Sequence, residues 1–165
     1  MKLKDKIAIV TGGAMGNGLG IVKIFLKHGA KVSIFDYSEK LQNTVDILKS
    51  EGYDVDGYSV DIRDSGQIKN AIDKIIAKYN KIDILVNNAG VAKLTPFLET
   101  PDEIRDFHFD INIKGTWNVS KAVVPYMSSG SSIVNLSSVT GTMVADTGEV
   151  AYATTKAAVL GFTKG

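Results

Sequence analysis

The stretch "KIAIVTGGAMGNG" (6–18) constrains this chain most, because a short β-branched run ends in a glycine-rich turn that opens directly into an amphipathic segment. Glycines at positions 12, 16 and 18 let the backbone turn tightly and approach a ligand. The helix start behind them presents free N–H groups and a partial positive charge to an anion. A pyrophosphate suits such a cradle. The G-x-G-x-x-G pattern does not occur in this loop, so on this pattern alone a purely structural glycine turn stays open.

The rest of the chain repeats the strand-then-helix alternation. "KVSIFD" (31–36), "VDGYSV" (55–60), "IDILVN" (82–87) and "SSIVNLS" (131–137) read as further strands. The unbroken apolar runs of the first and fourth strands predict burial on both faces. Ile68, Ala71, Ile72, Ile75 and Ile76 fall at the i, i+3, i+4, i+7, i+8 spacing of a helix. In "ETPDE" (99–103), Thr100 as N-cap, Pro101 at the first helical position and Glu103 as capping-box partner predict another helix start. Strand, helix, strand repeated in this way predicts an α/β fold with a parallel, doubly wound sheet, in one domain spanning 1–165.

Bulk composition narrows the partners. A net charge of +1 over 165 residues carries no electrostatic footprint for nucleic acid or an anionic membrane. The apolar run at 7–10 after Lys2, Lys4 and Lys6 is too short for a signal peptide, and no stretch is long enough to span a bilayer. The absence of cysteine excludes disulfide and thiolate chemistry and suits a reducing cytoplasm. Two histidines, with no carboxylates clustered at ligand spacing, give a metal site little support.

Two further features add chemistry to the glycine loop. Asp36 closes the second strand, where a carboxylate can accept both hydroxyls of an adenosine ribose and repel a 2′-phosphate. No Lys or Arg lies between Gly12 and Gly18 to offset that repulsion, so NAD is favoured over NADP. The competing reading of Asp36 is a strand-end turn former ahead of Ser38. Near the end of the sequence, "AYATTKAAVLGFTKG" places Tyr152 and Lys156 four residues apart, neighbours on one helical face. Asn112, in "DINIKG", lies amid a helical stretch, where an amide can bond to local backbone, distort the helix and free a carbonyl.

Taken together, these segments resemble the short-chain dehydrogenase/reductase family along essentially all 165 residues. "TGGAMGNG" is similar to the family's T-G-x-x-x-G-x-G loop, "NNAG" (87–90) to its strand-four motif and "YATTK" (152–156) to its Y-x-x-x-K, with Asn112 and Ser138 in their expected order between them. Asn17 stands where the family has an aliphatic residue. The resemblance implies a Rossmann-type sheet in the order 3-2-1-4-5, continued in the family by two more strands and a mobile segment that closes over the substrate. It thus implies that residues 1–165 are an incomplete domain, the alternative being a shortened NAD-binding module without turnover.

The resemblance also implies roles. Gly12, Gly16, Asn17 and Gly18 would meet the pyrophosphate, and Asp36 the adenosine ribose. Asp61 and Ile62 would meet the adenine, although Asp61 also reads as a strand-end cap. Asn88, Ala89 and Gly90 would lie against the adenosine-side ribose, with Asn87 structural. Tyr152 would be the base that takes the proton of a secondary alcohol as hydride leaves its carbon. A free phenol, with a pKa near ~10, is too weak for that at neutral pH; an adjacent ammonium favours the phenolate, and about 4 kcal/mol of differential stabilisation would suffice. Lys156 would supply it and also hold the nicotinamide ribose. Ser138 would bond the reacting oxygen, with Ser137 as its competitor, and Asn112 would hold a proton-relaying water. The implied reaction interconverts a secondary alcohol and a ketone with NAD, in a homodimer or homotetramer. Its interface would be formed by helices that begin near Lys114 and Tyr152, with Val119, Val123, Val124, Val159, Leu160 and Phe162 as candidate contacts.

Overall fold

The computed structural model describes residues 1–144 and 146–165. Five parallel strands, β1 (Ile7–Thr11), β2 (Lys31–Asp36), β3 (Val55–Ser59), β4 (Ile84–Asn87) and β5 (Ser132–Asn135), form one sheet in the order β3-β2-β1-β4-β5. The sheet is covered on both faces because successive side chains of a strand point to opposite sides. Ile7 and Ile9 pack with Ile68, Ile72, Ile75, Val119 and Val123 on one face. Ala8 and Val10 pack with Val22, Leu26, Val45 and Leu48 on the other. Every residue of β1 is therefore buried, as its apolar continuity predicts. β5 pairs only with β4 and is half open, with Val134 46% exposed.

The helices are α1 (Gly16–Lys27), α2 (Lys40–Ser50), α3 (Ser65–Tyr79), α4 (Asp102–His108), α5 (Thr116–Val123) and α6 (Val150–Lys164). Between α4 and α5, Phe109–Gly115 winds as a π-helix, so 102–123 forms one long rod with a widened turn at Asn112. Asp64 caps α3, its carboxylate accepting from Gly66 and Gln67 N–H, so Asp61 is not the cap. The capping box expected at Thr100 does not form. A tight 3₁₀ turn, Phe97–Glu99, ends at Thr100, and the threonine hydroxyl closes that turn on the Pro96 carbonyl at 3.0 Å, while α4 starts after Pro101 with no side-chain cap.

The strand order places the site. β2 and β3 lie on one side of β1, and β4 and β5 on the other, so successive crossovers diverge between β1 and β4 and leave a crevice at the strands' carboxyl ends. Thr11 bridges its two rims: the hydroxyl accepts the N–H groups of Asn88 and Ala89 at 3.1 and 3.0 Å.

Candidate active site

The glycine loop is shaped by its own packing. Gly12 sits at φ +66°, and a Cβ there would meet the Asn88 amide nitrogen at 2.9 Å; a Cβ on Gly18 would overlap the Gly12 carbonyl. Asn88 explains the closeness, because its Nδ2 donates to the carbonyls of Thr11 and Gly12 at 2.9 and 3.1 Å and staples the β4 end to the loop. Gly16, at φ +55°, has only open space where a side chain would project. No side chain caps α1 and its first turn holds no acid, so the leading N–H groups of that helix are free to meet an anion.

Beside the loop lies a cleft of about 640 Å³. Of the cofactor residues expected from the sequence, Gly12, Asn17, Gly18, Asp36, Asp61, Ile62, Asn88, Ala89 and Gly90 line it, and Gly16, Tyr152 and Lys156 do not. Free helix-start N–H groups, a carboxylate at the end of β2 and a cleft of this volume fit a dinucleotide. Asp36 does double duty: Oδ2 accepts the Ala14 N–H at 2.9 Å and Oδ1 the Ser38 N–H at 2.8 Å. The carboxylate thus both forms the turn and braces the glycine loop while lining the cleft.

The sequence reading missed Arg63, Phe107 and Ile111, which also line the cleft. Arg63 clasps Asp61 through Nη2–Oδ2 at 2.6 Å and Nε at 3.0 Å, and lies 6.0 Å from the Phe107 ring. The guanidinium's hydrogen bonds hold the Asp61 carboxyl below the usual carboxylate range. The signal for Phe107 and Ile111 was available in principle, since both precede Asn112 on the same rod at near-helical spacing.

Four residues were assigned to the chemistry. Lys156 is 6% exposed; its Nζ donates to the Leu136 carbonyl at 2.7 Å and stands 5.8 Å from the Tyr152 ring centroid. Burial pushes the Lys156 ammonium below the ordinary lysine value. Tyr152 is half-buried one turn earlier on α6. Gly90 joins this pair to Asn112, because a Cβ on it would lie 3.2 Å from Asn112 Oδ1 and 3.4 Å from Lys156 Nζ. β5 ends earlier than its sequence suggested, at Asn135, so Leu136, Ser137 and Ser138 leave the sheet toward α6. Ser137 is used up there, donating to the Lys156 carbonyl at 2.7 Å. Among the described residues, Ser138 Oγ accepts a long 3.2 Å bond from the Thr140 N–H and donates its own hydrogen to none.

Asn112 differs from its expectation in one respect. The distortion is present as the π-helical turn, but the amide bonds distant backbone rather than local: Oδ1 accepts Val91 N–H at 2.8 Å and Nδ2 donates to the Val91 carbonyl at 3.0 Å. The Asn112 carbonyl accepts the Thr116 hydroxyl at 2.9 Å. Among the described residues no group of three His, Asp or Glu side chains is placed to hold a metal ion, and no helix is long and apolar enough to cross a membrane.

Comparison with known proteins meets this geometry. A family model described as short chain dehydrogenase matches residues 6–165. Oxidoreductase UcpA of Escherichia coli is 48% identical over 165 residues, covering 99% of this chain and 63% of the relative. A 3-oxoacyl-(acyl-carrier-protein) reductase, FabG, of Thermotoga maritima is 38% identical over 168 residues, covering 99% of this chain and 68% of the relative. The chain therefore spans about 63% of the length of UcpA. A short chain dehydrogenase/reductase from Burkholderia phymatum, solved in complex with NAD, superposes with a TM-score of 0.93 at 27% identity, over 99% of this chain and 59% of that one. A short chain dehydrogenase from Burkholderia cenocepacia, solved in complex with NADP, does so at 0.92 and 31%, over 99% and 68%.

Proposed function

The chain belongs to the short chain dehydrogenase family, and on that premise we propose that it is an NAD-dependent oxidoreductase interconverting a secondary alcohol and a ketone. The observation that carries this reading is the buried Lys156 ammonium, 5.8 Å from the Tyr152 ring centroid and so close to Gly90 of the cleft wall that a Cβ added there would lie 3.4 Å from its Nζ. Burying an ammonium without a carboxylate partner costs several kcal/mol, a cost that structure alone gives no reason to carry.

The cofactor, when bound, supplies the hydride acceptor. Everything else is done by the chain. The first-turn N–H groups of α1 hold the pyrophosphate, Asp36 the adenosine ribose, and Asp61 with Ile62 the adenine edge. Asn88, Ala89 and Gly90 form the wall against the ribose, while Lys156 holds the nicotinamide-side ribose and keeps positive charge beside Tyr152. Ser138 donates its free hydrogen to the reacting oxygen. Tyr152 takes the alcohol's proton in the oxidative direction and returns it in reduction, and the Asn112 carbonyl holds a water through which that proton reaches solvent. A screen of secondary alcohols with NAD, following the absorbance of reduced nicotinamide, tests the reading; no turnover of any alcohol or of the corresponding ketones would refute it.

Two expected results follow from the same residues. NAD should bind at least tenfold more tightly than NADP, about 1.4 kcal/mol, because the Asp36 carboxylate repels a 2′-phosphate and the Arg63 guanidinium is already committed to Asp61. Asp36→Ala should narrow that ratio by relieving the repulsion, and should also weaken NAD itself, since the Ala14 brace is lost. Equal affinities of the unaltered protein by calorimetry would remove this role from Asp36.

Self-association should use the outward face of the long rod and α6. Val119, Val123 and Val159 are buried and so drop out of the expected contact set. Val124 and Leu160 remain at 50% and 40% exposure, as does Trp117 at 55%, whose ring meets Phe162 at a 45° tilt with centroids 5.4 Å apart. Dimers or larger assemblies in sedimentation at micromolar concentration are expected, and Trp117→Glu should shift them to monomer. A monomer at that concentration before any substitution would count against the interface.

A further inference from the structure

We propose that Thr155 is a positioning residue whose hydroxyl ties Asn112 to the helix that carries Tyr152 and Lys156. The inference rests on the dehydrogenase reading of that site. Thr155 is 0% exposed and Asn112 1%. Asn112 Nδ2 donates to Thr155 Oγ1 at 2.9 Å, and Thr155 Oγ1 in turn donates to the Tyr152 carbonyl at 2.7 Å. With the two bonds to Val91, the Asn112 amide is fully used: its oxygen accepts once, and its two hydrogens go to the Val91 carbonyl and to Thr155. The Val91 N–H requires an acceptor, which fixes which end of the amide is oxygen. A continuous chain of bonds thus runs from the cleft wall at Val91, through the π-helical turn, to the backbone of Tyr152.

This chain matters for chemistry because of what stands beside it. Gly90 lies between the two groups, since a Cβ added to it would stand 3.2 Å from Asn112 Oδ1 and 3.4 Å from Lys156 Nζ, so the Asn112 amide and the ammonium border the same small space beside the cleft wall. With both side chains out of contact with bulk solvent, an Asn112 hydrogen released by Thr155 loses a partner that solvent does not directly replace. Displacements of an ångström in supporting groups are enough to cost orders of magnitude in rate. Lys156 and Tyr152 sit on either side of Thr155 on α6, and the hydroxyl is the one bond in this chain that links their helix to the π-helical rod.

Thr155→Val keeps the shape and deletes the hydroxyl. We expect it to lower kcat at least tenfold while the KM for the alcohol stays within threefold, and to speed hydrogen exchange at the Val91 N–H at least tenfold. Thr155→Ser, which keeps the hydroxyl, should restore both to within threefold of the unaltered protein. An unchanged kcat in Thr155→Val, or a loss of kcat that Thr155→Ser fails to restore, would overturn the proposal. Should the valine variant not fold, Thr155→Ala removes the same hydroxyl and is held to the same readings. If the unaltered protein turns over no alcohol, the dehydrogenase reading fails, and Val91 exchange alone then decides whether Thr155 holds Asn112: an unchanged rate overturns it.

Discussion

Tyr152→Phe should abolish turnover while leaving NAD affinity within about twofold. The phenylalanine keeps the ring that packs one turn before Lys156 and loses only the oxygen that receives the proton. Two neighbouring groups are already engaged: Ser137 is bonded to the Lys156 carbonyl, and the Lys156 ammonium is itself held by the Leu136 carbonyl at 2.7 Å. General acid–base catalysis is commonly worth 10²–10⁴ in rate, so the expected loss is at least a hundredfold, about 2.7 kcal/mol. Retention of more than about a tenth of kcat, a loss under about 1.4 kcal/mol, would reassign proton transfer, with Ser138 the next candidate.

Lys156→Met should separate chemistry from folding more sharply than any other substitution. The ammonium contributes a charge beside Tyr152 and a contact to the nicotinamide-side ribose, so its removal should weaken NAD, lower kcat by at least tenfold and move the rising limb of the pH–rate profile to the alkaline side. Stability should respond in the opposite sense. Burial lowers the folded-state pKa of Lys156, so the unfolded chain binds more protons between that lowered value and the ordinary lysine value. The protein therefore gains stability as pH rises through this window, and at neutral pH the buried charge is a cost. Methionine removes the cost while leaving the Leu136 carbonyl short of a donor, two terms of opposite sign and similar size. Thermal melts at pH 7 should thus show little loss for the variant, and the stability gain on going to pH 9 should shrink. A variant that melts far below the unaltered protein at pH 7 would mean that Lys156 is chiefly structural.

How much of this site was legible in the sequence varies from residue to residue. The glycine loop, Asp36 and the NNAG stretch were readable because each depends on backbone that is local in sequence: a turn after a strand, a carboxylate at a strand end, a helix start. Tyr152 and Lys156 were readable because four residues make one helical turn. The departures lie where a side chain chose a partner that the pattern of strands and helices does not indicate, near or far along the chain. Asn112 was expected to bond near itself and instead bonds Val91 and Thr155, 21 and 43 residues away. Asp61 was read toward an adenine and is first the partner of Arg63, two residues on, a pairing that the alternation of strand and helix does not reveal. Thr100 was given to the helix after it and serves the turn before it.

By itself, the sequence determined the order of strands and helices, the double-sided burial of β1 and the glycine turn that opens into an uncapped helix, since hydrophobic period and glycine placement act over a few residues. Only the tertiary structure decided which faces of 102–123 and α6 turn inward, and so which valines belong to the core and which to the surface. It alone brought Gly90, Asn112, Thr155 and Lys156 into one packed cluster. The physical reason is that helix rotation and long-range hydrogen bonds are fixed by the simultaneous packing of elements on both faces of the sheet, a condition that no local stretch of the chain contains.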